Sequence, residues 1–129
     1  MDIAKRIAQM SFALKRKVGA IAVKDDNILG FGFNGMPAGF DNTCEHTLED
    51  GKLKTNTEVL HAETNLVAKL SRSSLSLEDA TVYVTAAPCI KCAVLLSQTR
   101  IKQVYFDEYF SNDEGIYLLN KVGIGVSKL

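Results

Sequence analysis

The first apolar pattern along the chain is Ile3, Ile7, Met10 and Leu14, whose three- and four-residue spacing predicts a helix over residues 3–14. Two apolar runs follow, 18–23 and 28–33, separated by Lys24-Asp25-Asp26-Asn27. They predict two antiparallel strands joined by a short hairpin. Gly35-Met36-Pro37-Ala38-Gly39 then breaks regular structure, and residues 35–57 are polar and aperiodic. A loop of that length in a compact domain is more often functional than idle. Periodicity returns at 61–70, where Leu66, Val67 and Leu70 mark the apolar side of a helix. Residues 81–85 are β-branched and aromatic, a strand composition. Pro88 stands where a helix can begin, and 89–98 continues with an apolar face. A strand at 104–106, a helix at 113–122 with acidic residues in its first turn, and a short strand at 124–126 complete the series. This order implies an α/β fold, a three-layer α/β/α sandwich around a mixed five-strand sheet.

A length of 129 residues suits a single domain, 1–129, with one sizeable core. Lys+Arg and Asp+Glu are each 15, so no global field attracts nucleic acid or an anionic membrane, and neither is an expected partner. The apolar runs fall far short of a bilayer span and the first residues show no secretory pattern, so the expected location is cytoplasmic. Three cysteines, two of them in a C-x-x-C, do not form a disulfide framework.

The chemistry concentrates in His61-Ala62-Glu63 and Pro88-Cys89-Ile90-Lys91-Cys92. Alone, the C-x-x-C would equally suit a redox pair or half of a structural zinc site, and His-Ala-Glu arises by chance. Together, each at the start of a predicted helix, they bring one imidazole and two thiols to a site. Three such ligands leave a fourth tetrahedral position open to water, as a catalytic zinc requires. Both helix starts would favour thiolates through their partial positive charge. Glu63 is not needed as a ligand and could do general acid–base work beside the metal.

These residues resemble the H-x-E…P-C-x-x-C signature of the cytidine/deoxycytidylate deaminase superfamily. Within it the chain is most similar to dCMP deaminases. The similarity runs through Val18-Gly19-Ala20, Gly32-Phe33-Asn34-Gly35-Met36-Pro37-Ala38-Gly39, His61-Ala62-Glu63-Thr64-Asn65, Tyr83-Val84-Thr85 and Ile101-Lys102-Gln103-Val104-Tyr105, then Asp113-Glu114 and Val122-Gly123-Ile124. Phe33 and Leu60 depart from residues that are often Tyr and Cys in the family, and neither departure removes a ligand. The resemblance implies zinc-dependent hydrolysis of dCMP to dUMP and ammonia. His61, Cys89 and Cys92 would hold Zn2+, and Glu63 would be the catalytic acid–base. Some viral members hold a second zinc, but only Cys44 and His46 stand in that region here, so a free thiol and a solvated histidine are favoured.

Further roles follow from the same resemblance. Asn34, Ala62, Thr85, Ala86, Ala87 and Tyr109 would contact the substrate. Asn34 could instead be a turn residue, and Tyr109 a half-buried core aromatic. The family also implies a homohexamer, activated by dCTP and inhibited by dTTP with Mg2+ on the effector triphosphate. Lys15, Arg16 and Lys17 would supply charge for that effector, unless they are a solvated helix end. Gly32, Phe33, Asn34 and Gly35 would link it to the active site. Arg72 would face a neighbouring subunit or a phosphate. The rival readings are deamination of cytidine, deoxycytidine or another nucleobase on the same fold, and a zinc-stabilised binding module without catalysis. The second has no need of Glu63 and requires a fourth protein ligand.

Overall fold

The computed structural model describes residues 1–110 and 112–129. A central sheet has the order β2-β1-β5-β6-β7. Its strands are β1 (Gly19–Lys24), β2 (Asn27–Phe33), β5 (Thr81–Ala86), β6 (Gln103–Glu108) and β7 (Gly125–Lys128). β1 is antiparallel to β2 and β5, whereas β5, β6 and β7 are mutually parallel. The parallel steps are crossed by α3 (Ile90–Ser97) and α4 (Glu114–Lys121), and α2 (Ala62–Leu70) precedes β5.

Strand alternation sorts the layers. Ala20, Ala22, Val82, Val84, Val104 and Phe106 are buried with Leu66, Leu70, Leu96 and Leu119, which makes one core between the sheet and α2–α4. Gly32, paired with Ala20, directs its missing side chain at α2, whereas Gly19, one residue away, directs its own at α1 (Asp2–Ala8). Successive residues of a strand face opposite sides. α1 therefore forms the third layer alone, on the far face, and the expected α/β/α arrangement is present.

Two sequence expectations need correction. The first helix ends at Ala8 rather than at residue 14. Ala4 and Ala8 face the sheet, because the backbone approach at Gly19 admits only small residues, and Ile3, Met10, Phe12 and Leu14 remain exposed. Ser11 then redirects the chain: its hydroxyl donates to the Asn34 carbonyl and accepts from the Ala13 amide. The second correction lies in residues 35–57, which contain a small antiparallel hairpin, β3 (Glu45–Thr47) and β4 (Leu53–Thr55). The expected hairpin between β1 and β2 closes on a two-residue turn with Asp25 and Asp26 both at positive φ. Among the described residues, no helix is long and apolar enough to cross a membrane.

Candidate active site

α2 and α3 begin side by side, and their caps define the site. His61 caps α2 and Cys89 caps α3, both in extended backbone and neither spending its side chain on the helix. The Nδ1 of His61 lies 3.5 Å from the Cys89 Sγ and 3.3 Å from the Cys92 Sγ. In a tetrahedral site with Zn–S near 2.3 Å and Zn–N near 2.0–2.1 Å, the N···S edge is about 3.5 Å. The donor set and its spacing therefore fit Zn2+. Among the described residues, these three are the group of His, Cys, Asp and Glu side chains that converges on one point.

The surroundings explain the convergence. Gly35 and Leu60 exchange backbone hydrogen bonds, which fixes the residue before His61. The Asn65 side chain donates to the Phe33 carbonyl and ties the first turns of α2 to β2. The amide of Ala87 bonds the Glu108 carbonyl, so Pro88 and Cys89 leave the sheet at a set point. α4 then starts against the carbonyls of Pro88 and Cys89, with Gly115 at the contact.

Glu63, in the first turn of α2, is buried. Burial pushes its carboxyl up to about 7, against the restraint of its own amide and of the Cys92 thiol. Burial, then the charges of Glu63 and Cys89, pushes the Cys92 thiol well above its ordinary value. A dication at the centre acts in the opposite sense and deprotonates a coordinating thiol outright. Partial burial and the nearby Lys91 ammonium lower the His61 pKa, which favours the neutral imidazole that a metal needs.

A cavity of about 160 Å³ opens on this group. His61, Ala62, Glu63, Ala86, Ala87 and Cys89 line it together with Asn34 and Val18. Lys15 and Arg16 stand in the same wall, as do Glu45 and Phe110. Arg16 is held in place by an ion pair with Glu108 at 2.7 Å and by the Phe110 ring 5.1 Å from its guanidinium carbon.

One family model, "Cytidine and deoxycytidylate deaminase zinc-binding region", matches residues 1–108. The chain belongs to the cytidine and deoxycytidylate deaminases. A probable deoxycytidylate deaminase of Caenorhabditis elegans is 40% identical over 110 residues, 84% of this chain and 55% of that relative. The deoxycytidylate deaminase of Enterobacteria phage T4 is 31% identical over 153 residues, covering 89% of this chain and 79% of the phage protein. The dCMP deaminase of cyanophage S-TIM5, solved in complex with dCMP and dUMP, superposes with a TM-score of 0.92 at 40% identity. That match covers 99% of this chain and 92% of the cyanophage chain. The chain thus spans about half the length of the nematode relative and most of the two phage proteins.

Among the residues singled out from the sequence, Asn34, Ala62, Ala86 and Ala87 line the cavity with His61, Cys89 and Glu63, while Cys92 lies buried behind that wall. Asn34 has both ends of its amide engaged: Nδ2 donates to the Arg16 carbonyl and Oδ1 accepts from the Val18 amide, each at 2.8 Å. It clasps the basic segment, and it is not among the residues at positive φ. Thr85 is outside the cavity lining and accepts from the Gly19 amide. Tyr109 is also outside; it packs edge-on against Phe106, and its neighbour Phe110 is the aromatic in the cavity. Lys17 is exposed and outside the lining, unlike Lys15 and Arg16. Arg72 is exposed just beyond α2, away from the lining. Cys44 is buried with its thiol on the Asn42 carbonyl, and exposed His46 bonds Asn56 at 2.6 Å. Sequence reasoning missed Phe110 and Glu45, whose only signal is aromatic or acidic character in segments without periodicity.

Proposed function

We propose that this chain hydrolyses dCMP to dUMP and ammonia. The observation that carries the reading is one cavity lined by His61, Cys89 and Glu63 of the metal-site group and by two cations. The first set suits the C4 amine of a cytosine, and Lys15 and Arg16 suit a 5′-phosphate. The similarity to deaminases named for deoxycytidylate supports the same substrate.

When bound, Zn2+ would acidify a water at its open position, taking its pKa from about 15.7 to about 7. His61, Cys89 and Cys92 would hold the ion. Glu63, one residue past the Ala62 wall, takes a proton from the attacking water and delivers one to N3 of the ring. The second proton of that water, carried by Glu63 from the oxygen to the C4 amine, makes ammonia the leaving group, and the oxygen remains on C4 as the uracil carbonyl. Ala62, Ala86 and Ala87 leave the flat ring room to approach the backbone. The small volume fits one ring, and the sugar and phosphate extend toward Lys15 and Arg16.

Deamination of cytidine or deoxycytidine is the competing reading, and it brings no anion to the two cations of the cavity wall. Ammonia release from dCMP, cytidine, deoxycytidine and cytosine, measured side by side, separates them. The reading expects dCMP to lead by orders of magnitude and Arg16→Ala to reduce that lead. Equal rates on dCMP and deoxycytidine would overturn it.

The regulatory part of the reading, a cytoplasmic homohexamer switched by dCTP and dTTP with Mg2+, rests on the family resemblance. It draws support from the 32–35 segment. Asn34 grips the basic segment on one side, and Gly35 braces the residue before His61 on the other. Lys69 lies over the rings of Phe31 and Phe33, with the Arg72 charge close enough to lower its pKa after burial. Initial rates against dCMP with and without each triphosphate test this part. A hyperbolic curve indifferent to both would reject regulation and leave the deaminase reading intact.

A further inference from the structure

The hairpin β3–β4 contributes a buried carboxylate that the proposed chemistry does not use. Glu45, at the start of β3, is 6% exposed and reaches across to the segment between α1 and β1. Its Oε1 accepts the backbone amides of Leu14 at 2.9 Å and Lys15 at 3.2 Å. Asn34 holds the next carbonyl and amide of the same segment, at Arg16 and Val18. Residues 14–18 have no helix or strand of their own, so these side-chain contacts fix the backbone that presents Lys15 and Arg16. The hairpin is braced from within, since the Asn56 side chain donates to the Thr43 carbonyl and its amide to the Cys44 carbonyl.

We infer that Glu45 is a positioning residue for substrate-phosphate binding. The hairpin, through this one carboxylate oxygen, sets where the cations of the neighbouring segment stand in the cavity. The inference rests on the dCMP reading above, because it assigns Lys15 and Arg16 to the substrate phosphate. It requires an acceptor at the Oε1 position, not a negative charge there.

Steady-state kinetics on the zinc-loaded full chain, with dCMP and deoxycytidine as substrates, test it. Glu45→Ala should raise KM for dCMP by about ten- to a hundredfold while kcat stays within about threefold, as expected when a binding group is displaced but the chemistry is not. The preference for dCMP over deoxycytidine in kcat/KM should fall by the same factor. Glu45→Gln retains an oxygen acceptor and should restore KM to within about threefold of wild type. Combining Glu45→Ala with Arg16→Ala should cost less than the product of the single effects, because both act on one contact. If Glu45→Ala does not fold, Glu45→Asp, which withdraws the acceptor by one methylene, should show the same KM rise. A dCMP preference left intact in these variants overturns the inference. So does a fall in kcat shared equally by both substrates at full zinc content, or a Glu45→Gln variant as impaired as Glu45→Ala. A wild-type protein with no preference for dCMP overturns the functional reading itself, and this inference with it.

Discussion

Gly32→Ala should damage the active site without touching a single active-site side chain. A Cβ at Gly32 would stand 2.6 Å from the Leu66 amide nitrogen, 3.1 Å from the Leu66 Cα and closer still to the Ala62 carbonyl oxygen. These are backbone atoms of α2, so no rotamer change relieves the clash. Ordinary contacts lie at about 3.5–4.0 Å, so α2 must retreat from β2 by on the order of 1 Å. Overpacking of this kind costs about 1–3 kcal/mol, which for a chain of this size lowers Tm by roughly 4–11 °C. The helix carries His61 at its cap and Glu63 in its first turn, whereas metal ligands tolerate about 0.2 Å. Zinc affinity should fall, and kcat/KM should drop by on the order of a hundredfold. Gly35→Ala is the control in the same motif: its nearest neighbour would be a Phe33 ring carbon at 3.9 Å, an ordinary contact. That variant should stay within about 0.5 kcal/mol of wild type. Thermal unfolding, zinc analysis and dCMP kinetics on both variants decide the matter. Wild-type behaviour of Gly32→Ala in all three would refute the packing argument.

Glu63 makes stability depend on pH. Its folded-state pKa of about 7 lies above the ordinary 4.5, so folding disfavours the charged form and stability falls as pH rises from about 4.5 to 7. At 1.36 kcal/mol per unit this amounts to about 3 kcal/mol, and chelator-treated Glu63→Gln should gain on wild type by up to that amount between pH 5 and 8 in urea unfolding. Phe110→Ala should raise KM for dCMP severalfold and Tyr109→Ala should not, because only Phe110 lines the cavity and stacks on Arg16; initial-rate curves distinguish them. Asp26→Gly should stabilise the protein by about 1 kcal/mol, since Asp26 has φ +61° in the β1–β2 turn and an L side chain is disfavoured there. A denaturation midpoint that does not rise contradicts that account of the turn.

The five strands of the central sheet and the residues of the metal group were legible because their signals are local. Strand composition at 81–85, the Pro88 start and the His61, Cys89 and Cys92 spacings each depend on neighbours a few residues away. Where the outcome depended on distant partners, local pattern misled or said nothing. The apolar spacing of Ile3, Ile7, Met10 and Leu14 is helical, yet the helix stops at Ala8 and turns its alanines inward. The close backbone of β1 at Gly19 decides that, and it lies eleven residues beyond the end of the helix. β3 and β4 are three residues each and mostly polar, too short for alternation to betray them. Glu45 gains its place from amides 30 and 31 residues earlier in the chain. Lys15-Arg16-Lys17 was visible as charge, but only the fold separates the two members in the cavity wall from the one outside it.

In the proposed mechanism Glu63 moves the protons while His61, Cys89 and Cys92 hold the metal. The measurement that tests it most directly is zinc content and dCMP turnover in the same preparation of Glu63→Ala. The expected result is one zinc per chain, an unchanged fold and a loss of turnover by about 10²–10⁴-fold. Near-normal ammonia release from dCMP by the zinc-loaded variant would contradict it.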